Sequence, residues 1–260
     1  MAYDRRDPRP AARAQVPAAR AALFLDLDGT LAALAPTPGE VTPDPGRTAF
    51  LRRACEALNG RLAVISGRTL EEIDRILESA TPCAAGVHGL ELRDPSGGVT
   101  APEPHRELQR AVDSLRFHAE ARPGLLVEEK ALGVALHYRA VPEERAGALA
   151  LAKHVADSTG LALQEGHDVV ELRTPGPDKG EAVRAFMEAA PFKGAVPIFV
   201  GDDLTDEAGF AAAQALGGAG VLVGSDRPTA AAGRLADVAD VFAWIERSLT
   251  SGVFTVEERV

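Results

Sequence analysis

Short apolar runs alternate with amphipathic, helix-periodic segments along most of this chain. Continuous apolar runs are typical of strands buried on both faces of a parallel sheet, and they occur at residues 21–25, 61–66, 83–87, 197–201 and 220–223. Apolar residues at helical spacing predict helices at residues 45–58, 69–77, 180–189 and 205–215, and a closing helix around Trp244. This alternation predicts an α/β fold with a Rossmann-like, doubly wound parallel sheet.

A different pattern interrupts the alternation at residues 102–175. Two helical segments, at 104–121 and 143–159, alternate with pairs of extended runs at 125–129 and 133–139, and at 161–165 and 168–173. This order predicts a small antiparallel sheet with helices on one face. We therefore expect an inserted α/β cap domain at 102–175, and a core domain made of residues 21–101 and 176–260.

Side-chain alternation along the inserted strands separates an apolar face from a charged one. Successive strand residues point to opposite faces, so one face would pack on the helices through Val127, Val134, Leu136, Tyr138, Val170 and Leu172. The opposite face carries Glu128, Lys130, His137, Arg139, Glu171 and Arg173. Two interpretations of this charged face stay open, a solvated outer surface and a ligand-binding surface.

Composition and charge exclude several classes of protein. A formal net charge of −10 argues against nucleic acid and anionic membranes as partners, and no apolar run approaches the length of a membrane span. Cys55 lies in a helical pattern and Cys83 in a strand-like one, which argues against a structural disulfide or a zinc site. Residues 1–20 are rich in Ala, Arg and Pro without a signal-peptide core, and we expect a disordered leader on a cytoplasmic protein.

Polar side chains follow several of the predicted parallel strands. Asp26 and Asp28 lie two residues apart at the end of the first strand, so their carboxylates point the same way and need a cation or a proton. Ser66 ends the second strand, Lys179 lies at a helix start, and the acidic segment GDDLTDE occupies residues 201–207. Carboxyl ends of parallel strands lie on one edge of the sheet. These groups together are what Mg²⁺-assisted phosphoryl transfer through an aspartyl intermediate requires.

Each of these motifs has a simpler explanation when it is taken alone. The tripeptide at residues 66–68 could form only a turn, and Lys179 could be a solvated helix start. The acidic residues at 202–207 could serve only to stabilise a helix N-terminus. The functional interpretation depends on their joint occurrence in this order along the chain.

Together the motifs resemble those of the haloacid dehalogenase superfamily of phosphotransferases, with DLDGT at 26–30, then Ser66, Lys179 and GDDLTDE. A narrower resemblance, to the trehalose-6-phosphate phosphatases, runs from residue 21 onward. It includes Gly67 and Arg68 after the serine, the GVHG turn at 86–89, and the charged positions of the insert. One departure is the segment TPGPD at 174–178, which bears on a hinge rather than on the chemistry.

The resemblance implies Mg²⁺-dependent hydrolysis of trehalose 6-phosphate to trehalose and phosphate. Asp26 would form an aspartyl phosphate, Asp28 would exchange protons with the sugar oxygen and the attacking water, and Ser66 and Lys179 would hold the phosphoryl group. The implied metal site comprises Asp26, the backbone carbonyl of Asp28, and Asp202, supported by Asp203 and Asp206. The implied substrate-binding residues are Gly67, Arg68, His88, Glu128, Lys130, His137, Arg139 and Glu171.

Other functions compete with this one. A related phosphatase could act on sucrose phosphate or mannosyl-3-phosphoglycerate, whereas a phosphomutase would have to protect its aspartyl phosphate from water. A non-catalytic phosphosugar-binding module is expected to have lost Asp26, Asp28 or the acids of the GDD segment, and all are present.

His88 could instead be a buried or turn-stabilising histidine. We expect a sugar phosphate as the small-molecule partner, no nucleic acid, no membrane and a monomer.

Overall fold

A computed structural model describes residues 13–257 of the chain. The strands are β1 Arg13–Pro17, β2 Ala21–Leu25, β3 Leu62–Ile65, β4 Cys83–Gly86, β5 Glu91–Arg93, β6 Val99–Thr100, β7 Leu126–Lys130, β8 Gly133–His137, β9 Ala162–Gly166, β10 Val169–Arg173, β11 Val196–Gly201, β12 Ala219–Val223, β13 Gly233–Leu235 and β14 Val253–Glu257. The helices are α1 Pro45–Ala57, α2 Leu70–Leu77, α3 Leu108–Glu120, α4 Arg145–Thr159, α5 Lys179–Glu188, α6 Glu207–Ala215 and α7 Val238–Ser251.

An eight-stranded sheet in the order β13-β12-β11-β2-β3-β4-β5-β6 forms the centre of the molecule. The strands from β13 to β4 are parallel, and β5 and β6 extend the edge as antiparallel strands. The chain moves from β2 to β3 on one side and later returns to β11 on the other side. The carboxyl end of β2 is therefore the topological switch point, where open α/β sheets bind ligands.

Helices cover both faces of the central sheet. Strand β2 is therefore buried on both sides, and it is apolar at every position. Leu23 and Leu25 pack into one core together with apolar residues of α1, α2 and α7. Ala22 and Phe24 pack into a second core on the opposite face, with apolar residues of α5 and α6. This arrangement confirms the predicted α/β fold with a doubly wound, mainly parallel sheet.

The segment between β6 and α5, called the insert (residues 102–175), forms its own four-stranded antiparallel sheet in the order β7-β8-β10-β9. Its apolar face packs on α3 and α4 around Val134, Leu136, Tyr138, Val170 and Leu172, as the strand alternation predicts. Ala135 pairs with both Glu128 and Glu171 in the neighbouring strands. The two carboxylates therefore lie on the other face of this sheet, either side of a small residue.

The expectation of a disordered leader at residues 1–20 is wrong for residues 13–20. Residues 13–17 form β1, which pairs antiparallel with β14, and Val16 is buried in the core opposite Phe254. The strand forms by pairing with β14, and because β14 lies at the far end of the described chain, no local sequence pattern reveals it. The first twelve positions of the predicted leader lie outside the described residues. Between residues 13 and 257, no helix is both long and apolar enough to cross a bilayer.

Candidate active site

The carboxyl end of β2 brings Asp26 and Asp28 to the switch point, as the strand prediction requires. The turn that follows depends on Gly29, whose φ of +82° lies in the left-handed region. A Cβ at residue 29 would lie 2.1 Å from the Asp202 carboxylate, so a side chain there would displace this acid. The glycine of the DLDGT motif therefore lets two strand ends approach each other.

A buried lysine joins the first strand end to the acidic segment. Lys179 is the first residue of α5, a helix that begins at the capping box between Asp178 and Glu181. Its Nζ lies 2.8 Å from Asp26 Oδ1 and 2.6 Å from Asp206 Oδ1. Burial lowers the pKa of Lys179, but the two carboxylates outweigh burial and raise it above its usual range. The ammonium thus supplies a fixed positive charge beside Asp26.

Asp26, Asp202 and Asp206 form a compact acidic cluster, in which one oxygen from each lies within 4.8 Å of the others. Burial raises the pKa of Asp202 to about 8, with further contributions from Asp206 and Asp203. Burial also raises the pKa of Asp26 well above its usual range, although Lys179 opposes this effect. Among the described residues, Asp202 Oδ1 is buried without a hydrogen-bond partner. An unpaired carboxylate oxygen beside two further acids is a fitting ligand set for a hard cation.

Asp203 and Asp206 also shape the acidic loop itself. The backbone N–H of Asp203 donates to Asp206 Oδ2 over 2.9 Å, and the Asp203 side chain accepts from the N–H of Leu204. Asp206 is wholly buried, whereas Asp203 lines the wall of a cavity that lies between the core and the insert. Asp203 is absent from the cluster formed by the other three acids, so its carboxylate serves the turn.

Ser66, Gly67 and Arg68 follow β3 and form the wall next to Asp28. Ser66 is almost fully buried, and its Oγ accepts from the backbone N–H of Arg68 over 3.2 Å. The Arg68 guanidinium donates to both oxygens of Asp28, over 2.6 and 2.8 Å, and more weakly to Glu72. The arginine predicted to bind substrate therefore holds the carboxylate predicted to move a proton.

The charged face of the insert, apart from Arg173, forms the opposite wall of the same cavity. Glu128 accepts a 2.8 Å hydrogen bond from His137 Nε2, and Lys130 Nζ lies 3.1 Å from Glu171 Oε2. Burial raises the pKa of Glu128, but the hydrogen bond from His137 and the charge of Lys130 outweigh it and lower the pKa. The charged face of the insert is therefore half-buried or buried, and it faces the core rather than open solvent.

Three of the hydrogen bonds that connect the insert to the core are made by residues that line the cavity. Lys130 Nζ donates to the carbonyl oxygen of Gly67 over 3.2 Å, and His88 Nε2 lies 3.3 Å from Glu171 Oε2. The Arg139 guanidinium donates to the carbonyl oxygen of Ala35, in the loop that follows the DLDGT motif. The three side chains that make these bonds, those of Lys130, His88 and Arg139, are all predicted site residues. The bonds join the two walls of the cavity.

Nearly all of the predicted site residues thus line one cavity between core and insert: Asp26, Asp28, Ser66, Gly67, Arg68, His88, Glu128, Lys130, His137, Arg139, Glu171, Lys179, Asp202 and Asp203. Asp206 lies directly beneath them. The cavity also includes a loop that sequence reasoning missed, at residues 34–37, and His167 at the tip of the β9–β10 hairpin. The loop carries no charged or motif residue, so no signal in the sequence marks it.

Arg227 is a further residue that sequence reasoning missed. It lies after β12, and its Nη2 donates to the carbonyl oxygens of Asp203 and Asp202 over 2.7 and 3.4 Å. Its Nη1 pairs with Glu207, which also accepts the backbone N–H of Ala230 over 2.7 Å. The guanidinium thereby ties the acidic loop to the next strand-end loop. Its position in the segment GSDRPT is not part of any motif identified from the sequence.

Comparisons with known proteins give a consistent result. A family model described as trehalose-phosphatase matches residues 24–239. A trehalose-6-phosphate phosphatase of Escherichia coli (strain K12) is 40% identical over 236 residues, covering 90% of this chain and 88% of the relative. A probable trehalose-phosphate phosphatase of Sinorhizobium fredii (strain NBRC 101917 / NGR234) is 38% identical over 213 residues, covering 81% and 80% respectively.

A solved structure is also similar to this chain over most of its length. The crystal structure of a trehalose-6-phosphate phosphatase related protein superposes with a TM-score of 0.74 at 27% sequence identity. The match covers 88% of this chain and 97% of that protein. The similarity therefore extends over both the core and the insert.

Proposed function

This chain belongs to the trehalose-phosphatase family, and on that premise we propose that it hydrolyses trehalose 6-phosphate to trehalose and phosphate, the last step of trehalose biosynthesis. The observation that carries the proposal is a single cavity shared by two kinds of residue. Asp26 and Lys179 lie at its core end, and Lys130 and Glu171 lie on its insert wall. Groups for phosphoryl chemistry and groups for sugar hydroxyls together fit a phosphorylated sugar.

The acidic cluster fits Mg²⁺ in its donor chemistry, since Asp202 has an unpaired buried oxygen next to Asp26 and Asp206. We propose these three carboxylates as ligands, together with the backbone carbonyl of Asp28, while Asp203 supports the loop. When bound, Mg²⁺ offsets the negative charge of the carboxylates and of the phosphoryl oxygens.

The residues around the cluster take distinct parts in the proposed reaction. An Asp26 oxygen forms a bond to phosphorus as the bond from phosphorus to the sugar oxygen breaks, and Asp28 gives that sugar oxygen its proton. Asp28 then takes a proton from the attacking water, which releases phosphate and restores the Asp26 carboxylate. Lys179 and Ser66 hold the phosphoryl oxygens, because they line the same cavity as the nucleophile.

The insert, residues 102–175, is proposed to act as a cap that selects the sugar. Its charged side chains already face the cavity, where Glu128, Lys130 and Glu171 can pair with sugar hydroxyls, and His137 and Arg139 lie beside them. A sugar that leaves a buried acceptor unpaired binds much less well, which gives selectivity. We propose that the insert closes over the core during the reaction and opens to release the products.

A panel of phosphate esters tests the substrate assignment. Purified protein with Mg²⁺ is incubated with trehalose 6-phosphate, sucrose 6-phosphate, mannosyl-3-phosphoglycerate and p-nitrophenyl phosphate, and the released phosphate is measured. The highest kcat/KM is expected for trehalose 6-phosphate. A higher value for another sugar phosphate would reassign the substrate, and no release from any ester would favour a binding module.

A single substitution tests the part played by the insert. Glu171→Ala is expected to lower kcat/KM for trehalose 6-phosphate about 100-fold while lowering that for p-nitrophenyl phosphate only slightly, because the aryl ester has no hydroxyls to pair. Glu129→Ala is the matched control. Glu129 lies on β7 of the same sheet, but it pairs with Arg116 at the surface instead of facing the cavity. Equal losses on both substrates would contradict recognition by the insert.

Removal of the metal tests the proposed cofactor. Treatment with EDTA is expected to abolish phosphate release, and added Mg²⁺ is expected to restore it. Titration calorimetry should show Mg²⁺ binding to the wild-type protein and much weaker binding to Asp202→Asn, which loses one of the clustered charges. Full activity in EDTA would contradict the assignment.

The expected monomer and the cytoplasmic location stay predictions.

A further inference from the structure

The turn that carries His88 has an unusual backbone. Val87 and His88 have φ angles of 47° and 58°, so two consecutive residues other than glycine adopt the left-handed region. Such conformations are costly, above all for a β-branched residue, and they persist only where surrounding contacts hold them. The N–H of Val87 donates to the carbonyl of Arg68, and the N–H of His88 donates to that of Ser66. The strained turn is therefore built onto the loop after β3.

The strained turn directs the His88 imidazole across the boundary between core and insert. Its Nε2 lies 3.3 Å from Oε2 of Glu171, a residue of β10 in the insert. Burial raises the pKa of Glu171, but the Lys130 ammonium and the hydrogen bond from His88 outweigh it and hold the pKa far below its usual range. Since an ionised carboxylate only accepts hydrogen bonds, Nε2 is the donor.

The surroundings of the other imidazole nitrogen favour a neutral His88. Within the described residues, His88 Nδ1 is buried and has no hydrogen-bond partner. A protonated ring would leave an N–H unpaired there, whereas a neutral ring with its proton on Nε2 leaves only a lone pair. Burial accordingly lowers the pKa of His88. The ring is therefore a neutral donor with one direction, toward Glu171.

Gly67 leaves room for this ring. A Cβ at residue 67 would lie 2.6 Å from His88 Cε1 and 2.7 Å from Nε2, which is too close for real atoms. The ring therefore lies directly against the Gly67 backbone, whose carbonyl oxygen also accepts from Lys130. Glycine follows the motif serine here because the imidazole occupies the space that a side chain would need.

The two oxygens of Glu171 have different surroundings. Oε2 accepts from both His88 and Lys130, over 3.3 and 3.1 Å. Oε1 is buried and, among residues 13–257, has no partner. Glu171 lines the cavity, so a ligand hydroxyl is the natural donor for this remaining oxygen. One oxygen is used to fix the carboxylate, and the other is left free to bind.

We propose that His88 is a positioning residue that orients the Glu171 carboxylate for a sugar hydroxyl, rather than a ligand of the sugar itself. Because His88 belongs to the core, whereas Lys130 and Glu171 belong to the insert, Oε2 has both of its hydrogen bonds only when the two parts meet. Sugar selectivity is then coupled to closure of the insert. This inference rests on the proposed function, since it gives Glu171 a sugar hydroxyl to bind.

Three substitutions at His88 separate the two roles. The amide nitrogen of Gln reaches the position of imidazole Nε2, the amide of Asn occupies that of Nδ1, and Met has the shape of Gln without a donor. We measure kcat/KM for trehalose 6-phosphate and p-nitrophenyl phosphate in His88→Gln, His88→Asn and His88→Met. Asn and Met are expected to lower the sugar-phosphate value about 10-fold or more, and the aryl-phosphate value less than about threefold. Gln is expected to stay within about threefold of wild type on both substrates.

Other patterns would overturn the proposal. Retention of sugar-phosphate activity by His88→Asn together with its loss in His88→Gln would make Nδ1 a direct sugar ligand. Equal losses on both substrates in a folded His88→Met protein, with its thermal unfolding unchanged, would place His88 in the phosphoryl chemistry.

A double-mutant cycle gives the sharpest test. If His88 acts through Glu171, then His88→Met should lower kcat/KM about 10-fold in the wild-type background and leave it unchanged in Glu171→Ala. Independent, additive losses would contradict the positioning role. A wild-type protein inactive on trehalose 6-phosphate would refute the proposed function instead. The cycle would then be run on whichever sugar phosphate the panel identifies, so that the two failures stay distinguishable.

Discussion

Arg68 binds the Asp28 carboxylate at both oxygens, with Nε 2.6 Å from Oδ2 and Nη2 2.8 Å from Oδ1. This bidentate geometry is among the strongest hydrogen-bonded pairs in proteins. In this arrangement both carboxylate oxygens accept from the guanidinium. We expect one of them to leave Arg68 when substrate binds, so that Asp28 can reach the sugar oxygen.

The proton-transfer role of Asp28 predicts a loss that depends on the leaving group. Asp28→Asn is expected to lower kcat for trehalose 6-phosphate by about 10²–10⁴-fold, since an alkoxide leaves poorly without a proton. In the first step the loss should be much smaller for p-nitrophenyl phosphate, because its phenolate leaves unaided, whereas the second step, in which Asp28 accepts a proton from water, is slowed for both esters. Pre-steady-state kinetics, which measure the burst of released leaving group, separate the two steps.

The control for this variant is Asp44→Asn. Asp44 is the N-cap of α1, where its side chain accepts from the N–H of Arg47, and asparagine serves equally well at an N-cap. Its activity on both esters should match wild type. Near-normal turnover of the sugar phosphate by Asp28→Asn would remove Asp28 from the proton-transfer role.

Some of this site could be placed from the sequence because its geometry follows from simple rules. Parallel strands align their carboxyl ends, so Asp26, Ser66 and the acidic segment had to meet at one edge. Strand alternation placed Glu128 and Glu171 on one face of the insert. Neither inference needs tertiary detail, and the structure has these residues in one cavity.

Other features could not be predicted because they depend on long-range pairing. The strand β1 has a single buried apolar residue, Val16, and forms by pairing with β14 at the opposite end of the chain. The bond from Arg68 to Asp28 and that from Arg227 to the acidic loop join strand-end loops that are distant in sequence. Local periodicity carries no information about which distant arginine reaches a given acid.

The contact of Arg227 with the acidic loop predicts an effect on metal affinity. Arg227→Lys keeps the positive charge but cannot bridge the carbonyl oxygens of Asp202 and Asp203 and the Glu207 carboxylate together. The looser loop is expected to bind Mg²⁺ about 5- to 10-fold more weakly in a calorimetric titration without substrate. Lysine is preferred to alanine here, because removal of the charge would itself favour a cation.

A neighbouring arginine provides the control for this measurement. Arg234 pairs with the exposed Asp226 of the same loop region, so Arg234→Lys should leave Mg²⁺ affinity unchanged. If Arg227→Lys binds Mg²⁺ as tightly as Arg234→Lys does, the arginine does not position the acidic loop.

The buried Glu171 predicts a pH-dependent contribution to stability. Burial raises its pKa, but Lys130 and His88 outweigh burial and hold the pKa below its usual range. A carboxyl whose pKa is lower in the folded state stabilises the fold above its unfolded-state pKa, about 4.3 for Glu, and loses that contribution as the pH falls. Glu171→Gln should therefore lower the free energy of unfolding by about 3 kcal/mol at pH 7.

The difference between wild type and Glu171→Gln should shrink below about pH 4.3, where the Glu171 carboxyl gains a proton in the unfolded chain but not yet in the folded protein. Urea unfolding at pH 7, 5, 4 and 3 measures this difference directly. Glu165→Gln is the control, because Glu165 lies on β9 in a half-exposed pair with Arg145 and should change stability by less than about 1 kcal/mol. A difference that stays constant down to pH 3 would show that the ionised Glu171 does not stabilise the fold.

The pairing of β1 with β14 predicts that Val16 contributes to the stability of the core. Val16 is 5% exposed and belongs to the core beneath α7. Val16→Ala removes two methyl groups and is expected to lower the free energy of unfolding by about 1–3 kcal/mol. Gln15→Ala, one residue earlier on the exposed side of the strand, should change it by less than about 0.5 kcal/mol. Equal, small effects in urea unfolding would mean that β1 does not pack on the core.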